Sequence, residues 1–191
     1  MALPYKKLPN FNLACHCFSI ISKCMSKALP PKPRSLSQKS TITIVASQYN
    51  TEFTDALVEN AQQELEELTS NTQINLVRVP GAFEIPATVE AVMQHDKPTC
   101  VIALGLIIRG QTAHGDLVAE SVTHALQKIA VDHVTPIIHE VILCNDKKQA
   151  YARCIGNKLN RGKEAARSAV AIADTFHQLK RTITRVFPSK A

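Results

Sequence analysis

The sequence predicts an α/β fold, a three-layer αβα sandwich with a four-stranded parallel central sheet. Three observations carry that prediction. Short β-branched or apolar runs recur at Thr41–Ala46, Ile74–Val79, Thr99–Leu104 and Pro136–Leu143. Helical spacing of apolar residues fills the chain between them and after the last. The third run is apolar throughout, as a strand buried on both faces must be. Strands that alternate with helices imply βαβ units and a parallel sheet covered on both sides.

Each element has its own local cause. Thr41-Ile42-Thr43-Ile44-Val45-Ala46 is short and β-branched, which suits a strand. After Tyr49-Asn50-Thr51 the period changes, and Phe53, Leu57, Ala61, Leu65 and Leu68 fall on one helical face. Ile74, Leu76 and Val77 form the second strand, and Pro80-Gly81 breaks it. Ala87 to Met93 reads as a helix with Pro86 in its first turn, where a missing N–H costs nothing. The third strand, Thr99 to Leu104, gives way to Gly105–Thr112. Leu117, Val118, Val122, Leu126 and Ile129 then mark one face of a long helix. Pro136 to Leu143 is the fourth strand. Two helices, Asp146 to Cys154 and Arg161 to about Leu179, close the chain. The expected division is a leader over 1–40, one α/β domain over 41–180 and a tail over 181–191.

Charge is unevenly placed. The chain has 191 residues and a formal net charge of +6. Lys6, Lys7, Lys23, Lys27, Lys32, Arg34 and Lys39 all precede the first acidic residue, Glu52. The rest is close to neutral, and its aromatics are not interleaved with Lys or Arg. The body therefore has no electrostatic footprint for nucleic acid, and none is expected as a partner. Residues 25–40 have the Pro-, Ser- and Lys-rich composition of an exposed linker. The leader is expected to be an unstructured, flexible tail; a transit peptide or a translation start at Met25 are the alternatives. A secretory signal fits poorly, because Asn12, His16 and Ser19 interrupt the apolar part. The longest apolar run, Cys100–Ile108, is far short of the roughly 20 residues of a spanning helix, so no membrane partner is expected. Cys100, Cys144 and Cys154 are isolated and read as reduced packing residues of a cytoplasmic protein, or of an organellar one if the leader is a transit peptide.

In open parallel sheets, ligands bind beyond the carboxyl ends of the strands. That directs attention to the loops Ser47–Thr51, Pro80–Glu84, Ile107–His114 and Cys144–Asp146. Gly105-x4-Gly110-Gln111-Thr112 has the glycine spacing of a P-loop, but Gln111 stands where lysine is required. What remains is a turn with Gln111 and Thr112 before a helix, suited either to a phosphate or to an ordinary N-cap by Thr112. His114 opens that helix beside the same turn, where an acid or base would be useful. His139-Glu140 is not a zinc motif, since HExxH would need histidine where Leu143 stands. Arg153 and Arg161 are either solvated charges or bidentate phosphate ligands. Pro80-Gly81-Ala82-Phe83-Glu84-Ile85-Pro86 is the most distinctive stretch. It is either a tight turn with Phe83 in the core, or a ligand-lining loop with an aromatic and a carboxylate.

Val79–Pro86, followed by Ala103-Leu104-Gly105-Leu106-Ile107-Ile108-Arg109-Gly110-Gln111-Thr112-Ala113-His114, resembles the 6,7-dimethyl-8-ribityllumazine synthase family. The likeness continues through Asp116, Val118, Ala119, Gln149-Ala150, Arg153, Asn160-Arg161-Gly162 and Glu164-Ala165-Ala166, and covers about residues 41–178. It implies a flavodoxin-like fold and the condensation of 5-amino-6-(D-ribitylamino)uracil with 3,4-dihydroxy-2-butanone 4-phosphate. The substrate amine is the nucleophile, and no metal or organic cofactor is implied.

By resemblance, His114 transfers protons and Tyr49 stacks on the pyrimidine, where the family usually has phenylalanine or tryptophan. Ala82, Phe83 and Glu84 meet the ribityl chain and pyrimidine, and Ile107 and Ile108 the uracil. Arg153 of a neighbouring subunit binds phosphate with Gln111 and Thr112, and His139 approaches the rings from that subunit. Arg161 stands where lysine is common. A homo-oligomer is implied, a pentamer or a multiple of pentamers. The pattern departs at His139-Glu140 in place of phenylalanine–glycine, at Gly115 in place of an aromatic, and at Ser47-Gln48 in place of a single arginine. Catalysis is expected with altered affinity; a non-catalytic lumazine- or flavin-binding assembly on the same fold is the alternative.

Overall fold

A computed structural model describes residues 29–186. Residues 1–28 of the expected leader and the last residues of the expected tail lie outside the described residues. The elements are β1 (Ser40–Ser47), α1 (Thr51–Leu68), β2 (Thr72–Val79), α2 (Ile85–His95), β3 (Cys100–Ile108), α3 (His114–Asp132), β4 (Ile137–Cys144), α4 (Lys147–Cys154) and α5 (Arg161–Val186). The four strands are parallel, in the order β2-β1-β3-β4.

Period-two alternation on the strands feeds two cores. Ile42, Ile44, Ala46, Ile102 and Leu104 face α1 and α5 through Leu57, Ala61, Leu65, Ala166 and Val170. Val45, Val101, Ala103 and Val141 face α2 and α3 through Ile85, Val89, Val122 and Leu126. The expected three layers are therefore present. No helix among the described residues is long and apolar enough to cross a membrane.

Three boundaries differ from expectation, the first two for a non-local reason. The third strand does not stop at Leu104. Gly105, Leu106, Ile107 and Ile108 continue it by pairing with Val141, Ile142, Leu143 and Cys144. Gly105 is tolerated mid-strand because both neighbouring strands and α2 crowd the face its side chain would take. A Cβ there would lie 3.2 Å from Ser47 Oγ, 3.2 Å from Val141 Cγ1 and 3.3 Å from Ile85 Cδ1.

The leader boundary is also too late. Leu36 is 2 % exposed, donates from its N–H to Leu68 O at 2.9 Å and accepts from Ser70 N–H at 3.3 Å. Lys32 Nζ donates to Glu67 Oε2 at 2.6 Å, and Arg167 on α5 bonds both Pro30 O and, at 2.8 Å, Glu64 Oε1 on α1. The described part of the stretch with linker composition is thus a strap across α1 and α5. Nor does the last helix end near Leu179; it runs to Val186, through part of the expected tail.

The Asn160-Arg161-Gly162 motif has structural work in this fold. Asn160 is fully buried; its Oδ1 accepts from Lys163 N–H at 3.1 Å, and its Nδ2 donates to Cys154 O at 3.2 Å. It joins the end of α4 to the start of α5. Gly162 lies against α1 so closely that a Cβ would sit 2.4 Å from Leu57 O. Gln149 likewise completes a cap: Asp146 Oδ1 accepts from Gln149 N–H at 2.7 Å while Gln149 Oε1 accepts from Asn145 N–H at 2.7 Å.

Candidate active site

The strand order reverses between β1 and β3, because β2 lies on the other side of β1. Such a switch point leaves a crevice beyond the carboxyl ends of the two strands. A cleft of about 480 Å³ occupies it. It draws Tyr49 and Asn50 from the end of β1, Gly81–Glu84 from the end of β2, and Leu106–Ile108 from β3. Gly110, Thr112, His114, Gly115 and Val118 complete the lining.

Two exposed aromatics dominate the mouth. Tyr49 is 74 % and Phe83 62 % exposed. This decides between the two readings of Phe83: it is not a core residue. Neighbouring backbone contacts hold both loops. Gln48 N–H donates to Val79 O at 2.8 Å and Tyr49 N–H to Pro80 O at 3.0 Å. Glu84 Oε2 accepts from Gly81 N–H at 2.8 Å, closing the turn that carries Phe83.

Asn50, to which the sequence reading gave no role, is the hinge of the first loop. Its backbone is left-handed, with φ 58° and ψ 48°, a conformation asparagine adopts more readily than most residues. Its side chain does not cap α1 but donates from Nδ2 to Leu106 O at 2.9 Å, tying the β1 loop to β3.

The start of α3 is available to an anion. Ala113, not Thr112, is the N-cap, and no side chain caps this end. Its first-turn amides therefore point outward with the positive end of the helix dipole. Thr112 and His114 line the cleft beside it, whereas Gln111 does not. Arg109 braces this loop: Nε and Nη2 donate to Asp116 Oδ1 at 3.0 and 2.6 Å, and Nη1 donates to Asn145 Oδ1 at 2.5 Å.

His139, Arg153 and Arg161 are absent from the cleft. They lie along β4, the edge strand: His139 on its α3 side, and Arg153 and Arg161, from α4 and α5, on its other side. His139 Nε2 lies 3.1 Å from Thr123 Oγ1 on α3, and burial pushes its imidazole below the ordinary histidine range. Glu140 projects to the opposite face, with Oε1 3.8 Å from Arg161 Nη1, which in turn lies 2.8 Å from Glu164 Oε2. Burial raises Glu140 to about 7; Arg161 opposes the rise, Glu164 adds to it and Arg153 opposes it.

Among the described residues, the side chains indicate neither thiolate nor metal-ligand chemistry. Burial pushes Cys100 and Cys154 up to about 12 and raises Cys144, so these thiols are poor nucleophiles. Among the described residues, no three His, Cys, Asp or Glu side chains cluster as metal ligands would.

Comparison with known proteins agrees with this architecture. The family profile described as 6,7-dimethyl-8-ribityllumazine synthase matches residues 39–177. A protein of that name from Polaromonas sp. is 38% identical over 74% of this chain and 90% of its own length. Another from Mycolicibacterium gilvum is 36% identical over 79% of this chain and 94% of its own. A third, from Thermococcus kodakarensis, is 34% identical over 73% and 88% respectively.

Proposed function

The chain belongs to the 6,7-dimethyl-8-ribityllumazine synthase family, and we propose that each of its active sites is shared between two copies of the chain. The reaction condenses 5-amino-6-(D-ribitylamino)uracil with 3,4-dihydroxy-2-butanone 4-phosphate to give 6,7-dimethyl-8-ribityllumazine, phosphate and water, the penultimate step of riboflavin biosynthesis.

One observation carries the proposal: the cleft holds Tyr49, Phe83, Glu84, Thr112 and His114 but no arginine. A departing phosphate needs cationic donors, and the candidates, Arg153 and Arg161, lie along β4 instead. In our reading, the ring of the uracil substrate stacks between Tyr49 and Phe83. Glu84 and the Ala82 backbone meet the ribityl chain, while Ile107 and Ile108 cover the pyrimidine. The amides at the start of α3 take the phosphate together with Thr112, Gln111 from the rim, and Arg153 of a second copy. His139 of that copy faces the rings. His114 moves protons between the substrate amine, the carbonyl and the leaving water. Because the amine is itself the nucleophile, orientation of two substrates supplies much of the rate.

Self-association has a second support. Leu117 and Val131 lie about four turns apart on the same side of α3 and are exposed, as is Val134 just beyond it. Exposed apolar residues in line favour burial against another chain. A closed ring of copies, a pentamer in our reading, gives every cleft a neighbour's β4 surface. Buried free thiols at Cys100, Cys144 and Cys154 support a reducing, cytoplasmic setting.

Mixing variants tests the shared site. His114→Ala and Arg153→Ala should each have little activity. When the two are dissociated, mixed in equal amounts and reassembled, about a quarter of the sites regain both residues, and lumazine formation recovers to match. No recovery in mixed assemblies would place both residues in one chain's site and overturn the proposal.

A further inference from the structure

Glu140 is a carboxylate on an edge strand, yet its side chain is only 15 % exposed and faces a cluster of charge. Arg161 and Glu164 approach from α5, and Arg153 and Cys154 from α4; Cys144 lies on the same strand. His139, its neighbour, projects to the other face, against Thr123. With the thiols neutral, the cluster holds two guanidiniums and two carboxylates. When both carboxylates are ionised, the four charges cancel and nothing net remains for a doubly charged oxyanion. When Glu140 is neutral, one positive charge is left over.

We propose that Glu140 is a positioning residue of the phosphate subsite: as a neutral carboxyl it leaves Arg161 and Arg153 available to a doubly charged oxyanion, and as a carboxylate it competes for the same guanidiniums. This rests on the reading of Arg153 as a phosphate ligand. Linkage follows directly. The carboxyl titrates near neutrality in the unliganded chain, and an arriving dianion favours its protonated form. Binding therefore takes up a proton from solvent, which adds to the Glu140 carboxylate. Affinity is highest below pH 7 and falls above it.

Sulfate is the suitable probe, because it remains a dianion across the range in which phosphate itself titrates. Calorimetric titration of the full-length assembly with sulfate should show roughly a tenfold loss of affinity from about pH 6 to about pH 8. Near pH 7.5, titrations in two buffers of different ionisation heat should reveal proton uptake in the wild type. Glu140→Gln, which cannot ionise, should bind sulfate with the same affinity throughout that range and without proton uptake. A wild-type affinity that is flat with pH, or a Glu140→Gln variant with the wild-type slope, overturns the role of Glu140. The underlying reading is separately exposed: Arg153→Ala should lose sulfate binding at every pH, and undiminished binding in that variant removes the phosphate subsite itself. The proton count needs no variant, so a folding defect in Glu140→Gln leaves the test intact.

Discussion

Arg109 Nε and Nη2 both donate to one oxygen of Asp116, at 3.0 and 2.6 Å, and so fix the loop between β3 and α3 that carries Thr112 and His114. The pair is exposed, so its loss should leave the unfolding midpoint almost unchanged. Its effect should fall on positioning, where small displacements of reacting groups are expensive in rate. Arg109→Ala is expected to lower kcat/KM roughly tenfold or more in a lumazine absorbance assay. A matching fall in thermal stability would make the pair a structural strut instead.

His114→Ala should lower kcat by roughly a hundredfold or more, the usual contribution of a positioned acid or base. KM for either substrate should change much less. A variant with full kcat would remove His114 from proton transfer.

Tyr49 and Phe83 are exposed, so truncation should not cost the several kcal/mol that emptying a core site does. Tyr49→Ala and Phe83→Ala are each expected to raise KM for the ribitylaminouracil roughly tenfold, the scale of one aromatic contact. Chemical denaturation should give midpoints close to wild type.

Removing residues 1–40 takes away Leu36, which is 2 % exposed, together with the strap that crosses α1 and α5. The truncated chain should lose on the order of 2–3 kcal/mol, as for a buried leucine. Removal of residues 1–28 alone preserves those contacts and serves as the control. Equal urea midpoints for both truncations would show that the strap adds nothing. Gly162→Val should cost about 1–3 kcal/mol by overpacking, since its Cβ would meet the backbone of α1.

Glu140 sets a pH dependence of stability with a definite sign. Its folded-state pKa of about 7 lies above the ordinary 4.5. Between those values the folded chain holds a proton that the unfolded chain has lost, so stability falls as pH rises through that window and levels off above it. Glu140→Gln should abolish this slope and be up to about 3 kcal/mol more stable than wild type, relative to pH 4.5, once the pH exceeds 7. Urea melts across the window measure it.

Local patterns in the sequence were sufficient for the element types. Phe53, Leu57, Ala61, Leu65 and Leu68 mark a helix face without reference to anything outside it, and all are buried on α1. The post-strand loops were likewise identifiable, because the alternation of strands and helices implies which strand ends converge. Phe83, Glu84, Thr112 and His114 were legible as residues of the cleft for that reason. Asn50 was not, because its value lies in a left-handed turn and a hydrogen bond to Leu106, fifty-six residues away in the chain. Nor was Arg109, whose partners Asp116 and Asn145 meet only after β4 has joined β3.

The sequence by itself determined the layers, the strand count, the family and most of the residues around the cleft, since these depend on periodicity, turn chemistry and motif order. Tertiary structure alone decided four matters. It set Phe83 at the mouth of the cleft and not in the core. It separated the cleft from Arg153 and Arg161, and it placed Glu140 against Arg161. It also turned part of a stretch with the composition of a linker into a packed strap. Composition reports what a segment can tolerate, whereas burial and charge pairing depend on what the folded chain brings beside it. For Leu36 that is the end of α1, and for Glu140 it is a guanidinium from the start of α5.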